Sequence, residues 1–534
     1  MARTEQSSPS IFNHVIGPVM RGPSSSHSAA SNRIARIARD LVGEPFHTMI
    51  VRYDPNGSLV TTHKEQGSDL GLYSGLLGWT PEDERLPTWP FALKDAGITV
   101  EARYESYDAP HPNFYRLELT GNSGTVYHLD AISTGGGMID LQAIDGIPLH
   151  SAGDLNHTLF WLDSEPAESA YRDSPLASAC EQVSWHPGPD GRGLLNLASR
   201  ETLDPQDVAT LAGQLGATRH RQLAAVLPVL SRREITLPFE TCAEMLDAPS
   251  MDGLPLWERA AHYEAARGGL SIDEVQEMMK DLATIMAGAV EEGLRGTSYH
   301  DRVLPSQSPG FLQAETEGRL VPGDISNRII RYVSAIMETK SSMGTIVAAP
   351  TAGSCGAMPG AVLAVADALD KDETERARAL LIAGLIGVFI SRDSTFAAEE
   401  GGCMAECGSG SAMAAAAIVH LVGGTIEQSL GAASMALQNS FGMTCDPIAN
   451  RVEAPCLGKN VMAATNALAC ANMALAGYQH LVPLDEVIIA MNKVAHQIPR
   501  ELRCTALGGL SLTPTSQRIT KLLAEGFSGD SPAN

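Results

Sequence analysis

After Pro238 the residue pattern turns helical and stays helical, and this constrains the chain more than any other feature. Ser271-Ile272-Asp273-Glu274 is a capping box, in which a hydroxyl and a carboxylate at this spacing satisfy backbone N–H groups that the first turn of a helix leaves free. Val275, Met278, Met279, Leu282, Ile285 and Met286 then fall on one face at helical spacing, with the methionines read as core filler. Gly423-Gly424 closes an Ala-rich helix, and Thr425-Ile426-Glu427-Gln428 opens the next with a second capping box. Small residues dominate stretches 411–417 and 432–437, so these helices can approach closely. Residues 236–534 are therefore expected to form an all-helical domain.

The preceding half reads differently. Runs 47–53, 99–107, 114–119 and 125–131 alternate or are rich in β-formers, and a helical stretch at 29–42 follows the loop Gly22-Pro23-Ser24-Ser25-Ser26-His27-Ser28. This predicts an α/β domain over 1–153. Between 154 and 235 the order is strand (158–163), helix (167–180), strand (182–186), strand (193–199), helix (204–215), strand (222–229). That βαββαβ order suits a small ferredoxin-like domain, although Pro175 falls inside the first predicted helix and a linker with incidental structure is the competing reading. The fold class is thus α+β and multidomain, as 534 residues exceed what one core usually organises.

A net charge of −24 disfavours nucleic acid and anionic membrane surfaces as partners. Met1-Ala-Arg-Thr-Glu-Gln leads into no apolar core of signal-peptide type, and the longest clean apolar run, 379–390, is too short to span a bilayer. A cytoplasmic protein is expected. Nine cysteines, an odd number without small-scaffold spacing, fit a reducing compartment without structural disulfides.

Three of those cysteines sit where a side chain could be aimed at a metal. Cys403 follows two glycines, Cys445 precedes Asp446-Pro447, and Cys456 follows Pro455. Three thiolates from separate segments would leave one iron of a four-iron cluster open as a Lewis acid. Spacing alone leaves the alternative standing, because free cysteine is often a small buried hydrophobe. That reading suits Cys180, Cys242, Cys355, Cys407, Cys470 and Cys504.

The neighbourhoods of these cysteines carry more. Residues 395–407 read TFAAEEGGCMAEC, 444–447 TCDP, 452–460 VEAPCLGKN and 349–359 APTAGSCGAMP. Together they closely resemble the α part of bacterial iron-sulfur L-serine dehydratases. Residues 17–30 (GPVMRGPSSSHSAA), His111-Pro112-Asn113 and 133–137 (STGGG) resemble the β part of the same family. The resemblance covers about 11–150 and 260–520, with both parts in one chain. It implies a [4Fe-4S] cluster on Cys403, Cys445 and Cys456 and the conversion of L-serine, a small-molecule substrate, to pyruvate and ammonia. It also implies substrate contacts from Ser24, Ser25, Ser26 and His27, and from a turn at Thr351, Gly353 and Ser354, whose competing readings are a solvated N-cap and a structural turn. Some members carry an ACT-type regulatory domain in the middle region, but 163–167 (DSEPA) lacks the glycine-bearing ligand turn of such domains.

Two departures from the family pattern bear on the chemistry. Lys64, Gln66, Ser68 and Asp69 occupy the place of Lys-Gly-His-Gly-Thr-Asp, so a titratable imidazole has become a neutral amide at Gln66. Cys504 stands where members usually have glutamate in Arg-Glu-Thr, before Gly508-Gly509-Leu510. It is open to three readings: fourth cluster ligand, substrate contact or packing. The α-proton base is left among His27, Lys64 and another group. Two further functions stay on the table, the same chemistry on a different β-substituted amino acid and a non-catalytic iron-sulfur amino-acid sensor. Ala-rich faces are compatible with a homodimer.

Overall fold

The computed structural model describes residues 8–300 and 302–525; the Met1–Gln6 reading lies outside them. The amino-terminal module is a six-stranded sheet in the spatial order Thr99–Tyr104, Phe46–Tyr53, Phe114–Gly121, Val126–Gly135, Met138–Ile144, Ile147–Ser151. The first two of these strands pair in parallel and the others antiparallel. Helix Ala30–Val42 packs on it because Ile34, Ile37 and Leu41 share a face, and they meet Met49, Val51, Leu117 and Leu129 from alternate strand positions. Gly43, in the left-handed conformation at φ 60°, ends that helix. Helix Ser68–Leu76 lies beside it and approaches so closely at Gly71 that a β-carbon there would collide with the Ser28 carbonyl.

The middle region is a four-stranded antiparallel sheet in the order Arg219–Leu223, Asn156–Leu162, Gly193–Ser199, Gln182–Pro187. In chain numbering this is 4-1-3-2. Its two faces go to different cores. Phe160, Leu195 and Leu197 pack with Val208 and Leu211 of helix Pro205–Leu215, while Leu159, Trp161 and Leu194 join the core of the amino-terminal module. The helix expected over 167–180 is not continuous: a short 3₁₀ turn, Glu168–Ala170, precedes a single turn, Pro175–Ser178. Proline lacks an N–H and is tolerated at the start of a helix, so Pro175 begins the turn, with the Ser174 hydroxyl accepting from Ala177 N. The last strand also lies earlier than 222–229, at Arg219–Leu223.

Among the described residues from Cys242 onward, the elements are helices apart from the two-residue strand Ile346–Val347. Both predicted capping boxes form, at Ser271 and Thr425. The central helix, Glu373–Asp393, is buried from Ala379 to Ile390. The stretch Ala398–Leu421 is long and apolar enough by composition to cross a membrane, yet 94% of its 18-residue apolar segment is buried inside the fold.

Chain order and packing do not coincide at the amino terminus. Ile11, Val15, Ile16 and Met20 belong to the core of the helical half. Ile11 and Val15 lie against Gly384 and Gly387 of the central helix, where a β-carbon would collide with their side chains. Ile11 N donates to Glu264 Oε2 (2.7 Å), and Val19–Met20 pairs with Ile346–Val347. A boundary drawn at residue 153 therefore does not separate two cores. The segment between Ser10 and Ala29 fastens the sheet module onto the helices, and this brings the Ser24–Ser28 loop to the boundary between them.

Candidate active site at the junction of the sheet module and the helices

On the helical side, Cys403, Cys445 and Cys504 pack together, Cys456 lies close enough to Cys403 to feel its charge, and all four are buried. Cys403 ends helix Ala398–Cys403 beyond Gly402, whose φ of 66° kinks the backbone; a β-carbon at Gly402 would stand 2.9 Å from the Met443 carbonyl oxygen. That close approach lets Met404 N donate to Met443 O (2.9 Å), which seats the Cys403 turn on the segment leading to Cys445. Cys445 is joined to Cys504 by backbone: Cys445 N donates to Leu502 O (2.9 Å) and Cys504 N to Cys445 O (3.3 Å). Cys403, Cys445 and Cys504 pack together, with Met443 against them. Cys456 is the first residue of helix Cys456–Leu475, one turn before Lys459.

Lys459 ties these pieces together. Its Nζ donates to Thr444 O (2.6 Å) and Asp446 Oδ1 (2.8 Å) and lies 3.8 Å from Cys403 Sγ. A second buried ammonium, Lys340, donates to Val452 O on the loop between Cys445 and Cys456. Hydrogen bonding with Cys403 and Cys504, together with burial, pushes the Cys445 thiol well above its ordinary range, and burial followed by the neighbouring Cys403 does the same to Cys456. Among the described residues no group of three or more His, Cys, Asp or Glu is set to close on one metal ion. Cys407 sits in a separate apolar cluster with Ala357 and Ala463, and all nine cysteines are free and buried.

The sheet side meets this from the loop Ser24–Ser28. Ser25 Oγ accepts from Ala352 N (3.1 Å), docking the loop on the Thr351–Ser354 turn. That turn is itself capped by Thr351, and Thr351 Oγ1 donates to Glu406 Oε1 (2.6 Å). Gly353 leaves room for the Glu406 carboxyl: a β-carbon there would stand 2.7 Å from Glu406 Oε1. His27 is fully enclosed, with Nδ1 3.0 Å from Ser24 Oγ and Nε2 2.9 Å from Thr62 Oγ1. Nδ1 also lies 3.6 Å from Glu399 Oε1. Burial, then the nearby His63, lowers the His27 pKa to about 3, whereas burial, with Glu406 and Glu400 adding to it, raises that of Glu399 to about 7. At neutral pH the pair is therefore a neutral imidazole beside a half-ionised carboxyl, not an ion pair. Glu399 Oε2 is buried with no hydrogen-bond partner among the described residues.

The candidates divide accordingly. Ser24, Ser25, His27, Thr351, Gly353 and Ser354 meet at the junction, with Ser26 buried in the same loop, and Gln66 reaches Cys504 across it. Lys64 does not join them: the turn at Leu59–Thr62 carries Thr62 and His63 inward and leaves Lys64 exposed. Ser68 is committed to the Tyr115 hydroxyl (2.8 Å) and Asp69 to His63 Nδ1 (2.7 Å), so both support the fold beside the site. Sequence reasoning passed over Glu399, Glu406, Lys340, Lys459 and Asn450. The two carboxylates had a legible signal, since Glu399-Glu400 and Glu406 interrupt an Ala- and Gly-rich stretch otherwise fit for burial. A cavity of about 1040 Å³ adjoins this region, lined by His111, Thr134, Gly135, Thr395, Phe396 and Glu400 among others; no cysteine is in its wall.

The family model described as serine dehydratase alpha chain matches residues 251–511. The alpha chain of L-serine dehydratase from Peptoniphilus asaccharolyticus is 36% identical over 288 residues, 54% of this chain and 99% of that protein. The chain belongs to the L-serine dehydratase family. It does so along nearly its whole length: L-serine dehydratase of Streptomyces coelicolor is 28% identical over 509 residues, covering 92% of this chain and 96% of that protein. L-serine dehydratase 2 of Escherichia coli is 26% identical over 505 residues with the same two coverages. The parts that resemble separate α and β parts of the family are thus fused here, and the site lies where they meet.

Proposed function

We propose that the chain dehydrates and deaminates L-serine to pyruvate and ammonia, with a [4Fe-4S] cluster held by Cys403, Cys445 and Cys456. The observation that carries this is that Cys403 packs with Cys445 and lies beside Cys456, three thiols from separate segments, while Glu399, on the same helix as Cys403, faces His27 of the sheet side. The donor set fits the cluster: the thiols are soft ligands sheltered from water, and the ammonium groups of Lys459 and Lys340 offset thiolate charge. When bound, a cluster with three protein ligands supplies a Lewis acid for the leaving hydroxyl.

The chain's own residues account for the rest. Hydroxyls of Ser24, Ser25 and Ser26, in a loop that opens a helix, are suited to a substrate carboxylate. Glu399 is balanced near neutral pH, the condition under which a general base works best, and its unpartnered Oε2 takes the α-proton. His27, kept neutral, steadies that carboxyl and is itself held by Ser24 and Thr62. Enclosure of both faces keeps bulk water from the reacting atoms. Loss of the α-proton and of the β-hydroxyl as water leaves an enamine, and its imine tautomer takes up one water to give the keto acid and ammonia.

The test is keto-acid release from L-serine by anaerobically purified protein, with iron measured on the same sample. Iron-replete protein that releases no pyruvate from L-serine would sink this substrate. A second reading, a different β-substituted amino acid, is favoured by the replacement of imidazole and carboxylate with Gln66 and Cys504, which touch each other. A panel including threonine separates the two. We further read the enzyme as a cytoplasmic homodimer without nucleic-acid or membrane partners, and the middle module as a degenerate ACT-type domain.

A further inference from the structure

The two departures from the family pattern lie 438 residues apart in the chain and are in contact. Gln66 addresses the Cys504 sulfur with both ends of its amide: Nε2 donates to Sγ (3.3 Å), and the thiol is 3.6 Å from Oε1, to which it can donate. The amide is held in turn, since Nε2 also donates to Asn450 Oδ1 (2.9 Å), and Asn450 Nδ2 donates to Thr61 O (2.6 Å). Asn450 and Cys504 both have left-handed backbones, at φ 56° and 58°, so their side chains leave the loops in directions an extended residue would not give. On its other flank Cys504 packs against Cys403 and Cys445. A fourth thiol thus stands within the group of cluster cysteines, held between a hydrogen bond with Cys445 on one side and the Gln66 amide of the sheet module on the other.

We propose that Gln66 is a positioning residue that holds the Cys504 thiol off the cluster and so keeps one iron free of a protein ligand. The physical reason is competition for one sulfur. A thiol engaged by an amide that is anchored by Asn450 must break those bonds and swing to bind iron; without the amide, nothing described on that side opposes the swing. The assignment holds only if Cys403, Cys445 and Cys456 carry the four-iron cluster proposed above.

The experiment compares wild type, Gln66→Ala, Cys504→Ala and the double variant, each reconstituted anaerobically with iron-57 and sulfide. Ferricyanide, as one-electron oxidant, converts a cluster with an open corner to the three-iron form, releasing one ferrous ion; the rate is followed by electron paramagnetic resonance, and inequivalent iron by Mössbauer spectroscopy. Wild type and Cys504→Ala are expected to lose the iron at the same rate. Gln66→Ala is expected to lose it about tenfold more slowly, and the double variant to return to the wild-type rate. Gln66→Ala matching wild type overturns the assignment, as does Cys504→Ala losing iron faster than wild type, because Cys504 would then already be a ligand. Wild type that assembles no four-iron cluster overturns the cluster reading and this assignment together, whereas the other two failures leave the cluster reading intact.

Discussion

The two faces of the site hold their side chains by different means. On the sheet side, Ser24, His27 and Thr62 form a neutral network in which hydroxyls and imidazole satisfy one another, and Ser25 accepts from the Ala352 N–H. On the helical side, thiols, carboxyls and ammonium groups are packed in a buried region, and the backbone around them is strained: Gly402, Ala449, Asn450 and Cys504 all have positive φ. The neutral face costs little to bury because its polar atoms are paired, while the helical face concentrates groups whose charged forms burial opposes. In the proposed function this contrast corresponds to recognition on one side and reactivity on the other.

The contrast breaks most severely if a thiol is removed. Cys456→Ala is expected to abolish pyruvate release and to lower iron retention after anaerobic reconstitution, with unchanged circular dichroism. Next comes the carboxyl: Glu399→Gln is expected to reduce kcat by roughly 10²–10⁴-fold. Its pH dependence sharpens the assignment. With its pKa raised to about 7, Glu399 becomes competent as pH rises, so kcat/KM of the wild type should climb through pH 7, and the variant should lack that limb. The same shift has a stability sign: a carboxyl raised from 4.5 to about 7 stabilises the fold below 4.5 and loses that contribution as pH climbs to 7. His27, depressed from 6.5 to about 3, acts the other way, its contribution being lost as pH falls across that interval. The Gln variant should therefore be relatively more stable above pH 7, measured by thermal unfolding.

Smaller effects are expected from backbone and periphery. Gly402→Ala forces a left-handed alanine against the Met443 carbonyl, which should cost about 1–2 kcal/mol in unfolding free energy and more in iron retention than in fold. Lys64→Ala should leave kcat and KM within twofold or so of wild type, because an exposed ammonium outside the junction is solvated in every state. A large loss on removing Lys64 would show that recognition extends beyond the neutral face.

Much of the local structure was legible. Capping boxes at Ser271 and Thr425 are short-range devices, and the strands at 47–53 and 193–199 announce themselves by composition, so both appear close to where the pattern puts them. Residues 167–180 failed for an equally local reason, the missing N–H of Pro175. The motif cysteines were legible as candidates through their neighbourhoods. Glu399 carried a weaker mark, a carboxylate interrupting an Ala- and Gly-rich stretch, and only burial, which raises its pKa, sets it apart from Glu400 beside it.

By itself, the amino-acid sequence determined the capped helices and the most β-rich strands, which cysteines carry family motifs, and which two positions depart from the pattern. Only the tertiary structure decided that Ile11 to Met20 pack with the helices, that Lys64 stays outside, and that Gln66 and Cys504 touch. The physical reason is range. Capping and periodicity act over a few residues, whereas burial, pKa and contact between residues 438 apart exist only once the sheet module has docked on the helical half.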